Sequence, residues 1–539
     1  MSASSRSRKK PWGGGGGKRD SLEEGEQKLL SEEPHAHGSN HHHRHKKHKS
    51  DLDGDRGNIA ILFLLYLLQG VPLGLCAAIP MLLQNKHVTY KDQASFSFTT
   101  WPFSLKLLWA PIVDSMYNPR IGRRKTWLIP TQYLIGLFML VLSYHINDWL
   151  EQGTPNIPFL TFVFFCLNFL AATQDIAVDG WALTMLKRVN VSHASTCNSV
   201  GQTAGYFLGY VVFMAFDSAE FCNYFRSEPL DSGMLNLPGF LFFWGITFLV
   251  VTSLVALFKH ERPADKSSLV HSDPDLNIVD SYKLLGSILK LPSIQKFALV
   301  LLTCKIGFSA SDAITSLKLI EAGVPKEKFA IMAVPLVPLQ IVLPLLLSKY
   351  TVGARPMDIY IRAIPYRLAF NFIAAFFVLI TPYFLSSPSP PHTLPTYYYL
   401  ILLVSCCIHQ VSLYAMFVAS MAFFARVSDP GVGGTYMTLL NTLSNLGSNW
   451  PNTVALWLVD ALTWKQCTGD ESNTCSDPAL VTACEAGQGK CVTQLDGYYI
   501  EILLCSVIGY LWLFWGKRTI HHLQSRSSSA WQVSRVGVS

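Results

Sequence analysis

The chain has 539 residues, of which 50% are apolar and 15% are charged, and its formal net charge is +7. The charges are crowded into the two ends and into the gaps between long apolar runs. This composition excludes an ordinary soluble domain and indicates a protein that spans a membrane several times.

Residues 1–57 differ from the rest of the chain. They contain a glycine run at 13–17, an acidic stretch at 23–33 and the tract HHHRHKKHK, which begins at His41. Such a segment cannot bury enough apolar surface to offset the entropy of ordering, so we expect a disordered cytosolic tail. We interpret the histidine tract as a solvated basic tail rather than a metal site. No apolar core precedes residue 58, so the first span is expected to act as an uncleaved signal anchor.

About twelve apolar runs are long enough to cross roughly 30 Å of hydrocarbon. The sequence therefore predicts an all-α, polytopic membrane protein. The predicted spans are 58–84, 94–114, 126–146, 158–186, 195–216, 237–258, 294–316, 329–348, 366–385, 396–424, 434–459 and 498–516.

Lysine and arginine in the short connections predict the orientation of these spans. Basic residues follow the second, fourth, sixth and eighth spans, whereas the connections 147–157 and 386–395 contain no lysine or arginine. Both termini are thus expected to face the cytosol. The sequon at Asn190 falls on the cytosolic side in this topology, and we expect it to carry no glycan.

The spans divide into two sets of six, which is typical of carriers built from two repeats around a central cavity. The predicted organisation is an N-terminal bundle over 58–258, a cytosolic connection over 259–293 and a C-terminal bundle over 294–516. A cysteine-rich lumenal loop occupies 460–497 and a cytosolic tail occupies 517–539.

Four cysteines lie within that loop: Cys467, Cys475, Cys484 and Cys491. On the non-cytosolic side they predict two disulfides, and their pairing stays open. A zinc site is the weaker alternative, because the spacing contains no C-x-x-C pair. Cys222, in another lumenal connection, is expected to be unpaired or to join them.

The turn after the second span carries a charged motif. Its residues are Asp114, Gly122, Arg123, Arg124 and Lys125. The motif resembles the G-x-x-x-D-R-x-G-R-R pattern that the major facilitator superfamily carries between its second and third helices, although the first glycine is an alanine here and the spacing is longer. The resemblance implies charge-assisted contacts that hold one conformation and break in the other. These residues also serve as a topology signal.

The fifth span contains Gly201, Gly205 and Gly209, one glycine on every fourth position. This ridge predicts close packing against a neighbouring helix. The superfamily often has a glycine-rich motif at the same place.

The strings LLYLLQGVPLGL, TWPFSLKLLWAP, AATQDIAVDGWALTML and GGTYMTLLNTLSNLGSNWP make the resemblance closer. Over residues 58–516 the chain is similar to the acetyl-coenzyme A transporter family of the major facilitator superfamily. The resemblance implies alternating-access import of acetyl-CoA from cytosol into the endoplasmic reticulum lumen, with or without exchange for CoA. It further implies a non-enzymatic, multi-pass protein of that membrane that supplies lumenal acetyltransferases acting on protein lysines and gangliosides.

No cofactor, resident metal or nucleic acid is expected, because the sequence lacks Walker-type, H-E-x-x-H and C-x-x-C motifs. Without an ATP-binding motif, the driving force is a gradient, a counter-substrate or protons, among which the sequence does not choose. Homo-oligomerisation also stays open.

Acetyl-CoA carries three phosphates, an adenine and a long pantetheine arm, so its site needs cations inside the membrane. Lys106 in the second span and Lys305 in the seventh are the candidates. Each lysine is interpreted either as a phosphate contact or as one partner of a structural ion pair, with Asp175 for Lys106 and Asp312 for Lys305.

Polar and aromatic side chains within the spans are further candidates for substrate contact, with helix packing as the alternative. Asp175 and Asp179 share one helix face about 6 Å apart, and we favour a structural role for Asp179. Tyr414, Tyr436 and Trp181 are candidates for stacking on adenine. The remaining candidates are Asn198, Gln202, Gln340, His409, Gln410, Asn441, Asn445, Asn449 and Trp450.

Two other functions remain open. One is an integral-membrane acetyltransferase in which His409 acts as general base. The other is a carrier of a different anionic conjugate. The two-bundle organisation and the charged motif favour transport.

Overall fold

In a computed structural model of the protein, residues 51–539 form one compact unit. The residues that the structure describes are 54–84, 88–151, 155–186, 192–261, 277–351, 355–385, 394–428, 433–469, 474–475 and 478–533. The predicted N-terminal tail therefore lies almost wholly outside the described residues, as do the sequon at Asn190 and positions 262–276 of the central connection.

The first half is entirely helical in the described residues. Its helices are α1 (Arg56–Gln84), α2 (Tyr90–Ser97), α3 (Trp101–Leu105), α4 (Ala110–Ser115), α5 (Lys125–Glu151), α6 (Ile157–Met185), α7 (Ser192–Phe207), α8 (Phe213–Asp217), α9 (Ala219–Asn223) and α10 (Leu237–Phe258).

Two of these helices begin with the same local signal. The side chain of Asn156 accepts a hydrogen bond from the backbone of Phe159 at 3.2 Å, and Asn236 accepts one from Gly239 at 2.9 Å. Each asparagine is followed two residues later by a proline. Because the first helical turn has no intrahelical partner for its N–H groups, a proline there loses nothing and the asparagine caps a free donor.

The second predicted span is broken into pieces. Turns of 3₁₀-helix at Phe98–Thr100 and Lys106–Leu108 separate α2, α3 and α4. Pro102 and Pro111 lie in the first turns of α3 and α4, where they interrupt the hydrogen-bond ladder of a continuous helix. Lys106 consequently lies at a break inside the membrane-spanning segment.

The fifth predicted span is also irregular, with a π-helical turn at Leu208–Val212 between α7 and α8. Its glycine ridge packs directly against α1. A Cβ atom placed on Gly205 would lie 1.9 Å from the backbone oxygen of Leu67, and one on Gly209 would lie 2.4 Å from that of Val71. Only glycine permits this approach of the two backbones.

The connection and the second half repeat the helical pattern. Their elements are α11 (Ile278–Leu289), α12 (Pro292–Thr303), a 3₁₀ turn (Ile306–Phe308), α13 (Ser309–Glu321), α14 (Lys326–Ala333), α15 (Leu336–Thr351), α16 (Met357–Leu385), α17 (Thr396–Val427), α18 (Gly433–Leu462), α19 (Pro478–Ala486), α20 (Gly497–Gln524) and a 3₁₀ turn (Ser528–Trp531).

A two-stranded antiparallel hairpin joins α18 to α20. Its strands are β1 (Trp464–Cys467) and β2 (Cys491–Leu495). Disulfides link Cys467 to Cys484 and Cys475 to Cys491, which confirms the prediction of two disulfides and fixes their pairing. Cys222 is a buried free thiol.

Eight helices in the described residues are long and apolar enough to cross a membrane. The other predicted spans fall on α2 to α4, α7 to α8, α14 to α15, and α18, which are interrupted or rich in polar residues. The all-α polytopic fold is confirmed. The spans that are not uniformly apolar helices are the second, fifth, eighth and eleventh, and the seventh span is apolar but interrupted by the 3₁₀ turn at Ile306–Phe308.

These four irregular segments provide much of the contact between the halves, and α13 also packs against α1. The structure packs α18 against α2 and α3, and packs α14 against α8 and the π-helical turn.

Candidate functional site

The first-half lysine is neutralised by a neighbouring helix. Lys106 forms an ion pair with Asp175 of α6, and both side chains are buried. Gln69 of α1 donates a second hydrogen bond to Asp175 at 2.5 Å. Of the two interpretations of Lys106, this geometry matches the structural ion pair.

Asp179, one turn beyond Asp175, has uncharged hydrogen-bond donors. Tyr66 of α1 donates to it at 2.8 Å and Asn198 of α7 donates at 3.0 Å. Asn198, a candidate for substrate contact, is thereby engaged in joining α6 to α7. The contacts of Asp179 agree with the structural role that the sequence favoured.

The second-half lysine has a different environment. Lys305 lies immediately before the 3₁₀ turn that breaks the seventh span, and its Nζ donates to the backbone oxygen of Ser444 at 3.1 Å. Asp312, the partner suggested by the sequence, instead accepts from Nη2 of Arg367 at 2.5 Å. The suggested pairing is therefore wrong, and among the described residues Lys305 has no carboxylate within salt-bridge distance.

Sequence analysis missed Arg367. Its side chain, on α16, is 4% exposed and lies over the ring of Phe308, 4.2 Å from the ring centroid. An arginine near the start of a 20-residue apolar run was a usable signal. It was missed because only lysines were examined as intramembrane cations.

The two halves thus carry opposite imbalances of formal charge. The first-half cluster has two carboxylates, Asp175 and Asp179, for one cation. The second-half cluster has two cations, Lys305 and Arg367, for the one carboxylate of Asp312.

Several other candidates lie in the second half. His409 of α17 stacks on Phe370 at 4.0 Å between ring centroids, and its Nδ1 is buried without a hydrogen-bond partner. The Oδ1 atom of Asn441 is likewise buried and unpartnered, whereas Asn445, one turn further along α18, is exposed. The structure therefore leaves polar groups of two helices without a protein partner.

The rest of the polar stripe on α18 holds neighbouring helices. Asn449 donates to the hydroxyl of Ser104 on α3 at 2.8 Å, and Trp450 donates to the backbone of Leu302 at 2.9 Å. The remaining amide candidates and Tyr414 are partly buried: Gln202 lies on α7, Gln340 on α15, and Gln410 and Tyr414 on α17.

Two proposed adenine platforms are not available in this conformation. Tyr436 is 0% exposed and donates to the backbone of Trp531 at 2.8 Å. Trp181 is 1% exposed within the core of the first half. Aromatic character in a span did not reveal that these rings are enclosed by other helices.

The charged motif forms a compact cluster, and we name this side of the molecule the motif end. Arg124 pairs with Asp114, and Arg123 donates to the backbone of Asp114 at 2.8 Å. Gly122 has a φ of 112°, which favours glycine. These contacts stay within the first half.

Glu261 completes this cluster and was missed by the sequence analysis. Its carboxylate accepts from the backbone N–H groups of Arg124 and Lys125 at 3.0 Å, at the N-terminus of α5. A carboxylate is favourable there because the first N–H groups of a helix have no intrahelical acceptor. Lys125 in turn donates to the backbone oxygens of Ala256 and Lys259.

The opposite side, which carries the β1–β2 hairpin and is named the hairpin end, has contacts that cross between the halves. Lys318 of α13 binds Asp496 at 2.5 Å and Glu321 at 3.0 Å, and it lies over the ring of Tyr90 of α2. Tyr90 donates to Glu321 at 2.5 Å.

Two further contacts join the halves at the hairpin end. The backbone of Lys91 donates to Asp460 of α18 at 2.8 Å, and Lys328 of α14 pairs with Glu220 of α9 at 3.1 Å. Sequence spacing could not reveal these contacts, since each joins residues more than 100 positions apart.

The sequence of this chain matches a known protein family and several known proteins. Residues 58–533 match the family model described as Acetyl-coenzyme A transporter 1. An uncharacterised protein of Schizosaccharomyces pombe is 37% identical over 84% of this chain and 83% of its own length. An uncharacterised membrane protein of Saccharomyces cerevisiae is 33% identical over 88% of this chain and 97% of its own length. The anhydromuropeptide permease of Escherichia coli is 29% identical over 24% of this chain and 25% of its own.

Solved structures with the same fold are transporters. A bacterial homologue of the human lysosomal transporter Spinster, in an inward-facing, unoccupied conformation, has a TM-score of 0.53 at 15% identity, covering 86% of this chain and 97% of its own. A mutant of the nucleoside transporter NupG has a TM-score of 0.52 at 13% identity, and the match covers 86% of this chain and 99% of the NupG chain. The fold is that of a major facilitator superfamily transporter, and the chain belongs to the acetyl-coenzyme A transporter family.

Proposed function

We propose that this protein carries acetyl-CoA from the cytosol into the lumen of the endoplasmic reticulum by alternating access. The observation that supports an anionic cargo is Lys305, an intramembrane cation whose described contact is a backbone oxygen rather than a carboxylate. Membership of the acetyl-coenzyme A transporter family supports acetyl-CoA as this cargo.

The electrostatic argument rests on the cost of an uncompensated charge. A cation removed from water requires a counter-charge, and a neutral carbonyl supplies only part of the lost solvation. Asp312 is occupied by Arg367, which leaves Lys305 free to bind an anion that enters from the cavity. A phosphate group of CoA has the charge to do so.

The polar groups around Lys305 suit the remainder of the cargo. Asn445 is exposed on α18, the helix whose Ser444 accepts from Lys305, and the buried Oδ1 of Asn441 lies one turn earlier. Amides at these positions would accept and donate hydrogen bonds to pantetheine or adenine. His409 and its stacked neighbour Phe370 offer an aromatic surface in the same half.

The contacts between the halves support a direction of access. They concentrate at the hairpin end, where Tyr90 and Lys91 of α2 bind Glu321 and Asp460. With the proposed topology, in which both termini are cytosolic and the hairpin is lumenal, this conformation is closed toward the lumen. Cargo would then enter from the motif end, and the hairpin-end contacts would break when the carrier turns over.

The test is uptake into liposomes that contain only the purified protein, with acetyl-CoA labelled on both the adenine and the acetyl group. Equal arrival of both labels is expected. Lys305→Gln should lower uptake at least tenfold, whereas Lys296→Gln, which changes an exposed lysine on α12, should leave uptake unchanged. Full uptake by Lys305→Gln would contradict the proposed anion contact.

The same experiment addresses the acetyltransferase alternative. Acetyl label that enters without adenine would mean that the acetyl group alone crosses the membrane, and attention would move to His409. The stacking of His409 on Phe370 and its unpartnered Nδ1 do not resemble a general base oriented by a carboxylate. Uptake of another anionic conjugate in preference to acetyl-CoA would retain the carrier and change its cargo.

A further inference from the structure

We propose that a cavity at the motif end of the second half, separate from the Lys305 site, binds a phosphate group. The cavity has a volume of about 70 Å³ and lies where α17 and α20 end and the final 3₁₀ turn begins. Its polar lining comes from Arg426, Gln524, Arg526 and Ser528.

Two arginines line this one cavity. Arg526 is half-buried and donates to the hydroxyl of Ser293 at 2.8 Å, whereas Arg426 is exposed and has no ion-pair partner in the described part of the chain. No acidic residue occurs among the described residues that line the cavity. Two like charges facing one space repel each other unless an anion lies between them.

The chemistry of the lining favours phosphate among anions. Arginine presents several N–H donors in a planar arrangement that matches phosphate oxygens, and the Ser528 hydroxyl adds another donor. Gln524 does not compete for the site, because its side chain binds Asp358 at 2.9 Å and the backbone of Met357 at 3.0 Å.

The phosphate has two sources. One source is a phospholipid, whose headgroup would meet the arginines where the spans leave the membrane. Its chains would stay outside the cavity, because the apolar lining residues are buried in the core: Phe423, Val427, Leu523 and Trp531. A soluble phosphate would use the same arginines without a membrane anchor. Both sources share the phosphate chemistry, so the experiment must separate them.

Occupation of this cavity has a structural consequence. Ser528 and Trp531 belong to the last turn of the described chain, and the ring of Trp531 packs on Phe423 of α17 and Phe297 of α12. A phosphate that bridges Arg426 of α17 to Arg526 and Ser528 would therefore fasten this turn to the ends of α12 and α17.

The test measures thermal unfolding of the full-length protein in neutral detergent, at constant ionic strength and in a Lys305→Gln background so that the central site does not contribute. One arm adds inorganic phosphate, and the other adds mixed micelles containing a phosphatidylinositol phosphate, with phosphatidylcholine micelles as reference. We expect a concentration-dependent rise in Tm in at least one arm.

Arg426→Gln is the decisive variant, because the described contacts give this arginine no structural partner. The substitution should raise the ligand concentration needed for a given rise in Tm at least tenfold. Arg518→Gln, which changes an exposed arginine on α20 outside the cavity lining, should leave that concentration unchanged. A response to phosphate alone assigns a soluble source, and a response confined to the lipid assigns a headgroup. No response in either arm, or an equal response in Arg426→Gln, would overturn the proposal.

Discussion

Lys106 and Lys305 both lie at breaks in membrane-spanning helices, yet they differ in their partners. Lys106 begins a 3₁₀ turn and binds the carboxylate of Asp175, whereas Lys305 precedes a 3₁₀ turn and binds a backbone oxygen. The first lysine joins two helices through a carboxylate, whereas the second is the cation that we propose binds the cargo. Position in a span and residue type alone do not distinguish the two.

The neighbouring residues reinforce this contrast. Asp175 receives a second hydrogen bond from Gln69, so the first-half pair is supported from α1 as well. In the second half, Arg367 occupies Asp312 and removes the carboxylate that Lys305 would otherwise bind. In the proposed site, Arg367 therefore acts by its pairing with Asp312 and does not itself have to touch the cargo.

The largest effect is expected from Lys106→Met, which leaves Asp175 buried without its cation. Removal of one partner of a buried ion pair costs about 3–5 kcal/mol, so the variant should unfold at a markedly lower temperature in detergent. Asp175→Asn in the same chain should recover most of the loss. Lys91→Met, at an exposed lysine of α2, is the control, and a Lys106→Met protein of normal stability would contradict the structural role.

A somewhat smaller loss is expected from Asp312→Asn, because the Asp312 side chain is 23% exposed. The substitution leaves Arg367 and Lys305 without any carboxylate in their cluster, and we expect destabilisation of about 3 kcal/mol. Saturating CoA should then raise the Tm of this variant more than that of the unmodified protein. An equal rise in both proteins would mean that the ligand phosphate does not sense this cluster.

Lys305→Gln should affect binding rather than stability. It should weaken the binding of CoA and leave the free energy of unfolding nearly unchanged. A tenfold loss of CoA affinity corresponds to about 1.4 kcal/mol. If Lys305 contacts the 3′-phosphate, the substitution should reduce the affinity for a CoA analogue that lacks this phosphate less than it reduces the affinity for CoA. Isothermal titration with both ligands makes the comparison, and an equal loss for both would mean that Lys305 contacts a different part of the molecule.

The smallest effect is expected from Gln69→Leu, which removes one hydrogen bond from Asp175 and leaves the ion pair intact. Polar contacts between helices in membranes contribute about 0.6 kcal/mol on average. The Tm should therefore fall only slightly relative to the unmodified protein. A loss as large as that of Lys106→Met would show that Asp175 depends on Gln69 as much as on its cation.

Much of the fold could be predicted because its signals are local. Apolar length marked the spans, the Gly201 to Gly209 spacing predicted close packing, and four cysteines in one connection predicted two disulfides. The candidate site was less predictable. Asp312 was suggested as a partner of Lys305 in the same predicted span, whereas its partner, Arg367, lies 55 residues away on another helix.

Glu261 and Tyr90 illustrate the same limit at the two ends of the molecule. Glu261 reaches the N-terminus of α5 from 137 positions away, and Tyr90 meets Glu321 across 231 positions. Nothing in the local sequence around either residue identifies its partner. The choice depends on how the helices are arranged around each other.

The sequence by itself determined that this chain crosses a membrane through helices, where its long apolar segments lie, and which family it belongs to. These properties follow from apolar length, small-residue spacing and extended motif similarity, all of which are read along the chain. Only the tertiary structure decided which intramembrane cation is neutralised, which cysteines are bonded, and at which end the halves contact each other. Those outcomes depend on distances between side chains on different helices, because Coulomb attraction and hydrogen bonding act through space rather than along the sequence.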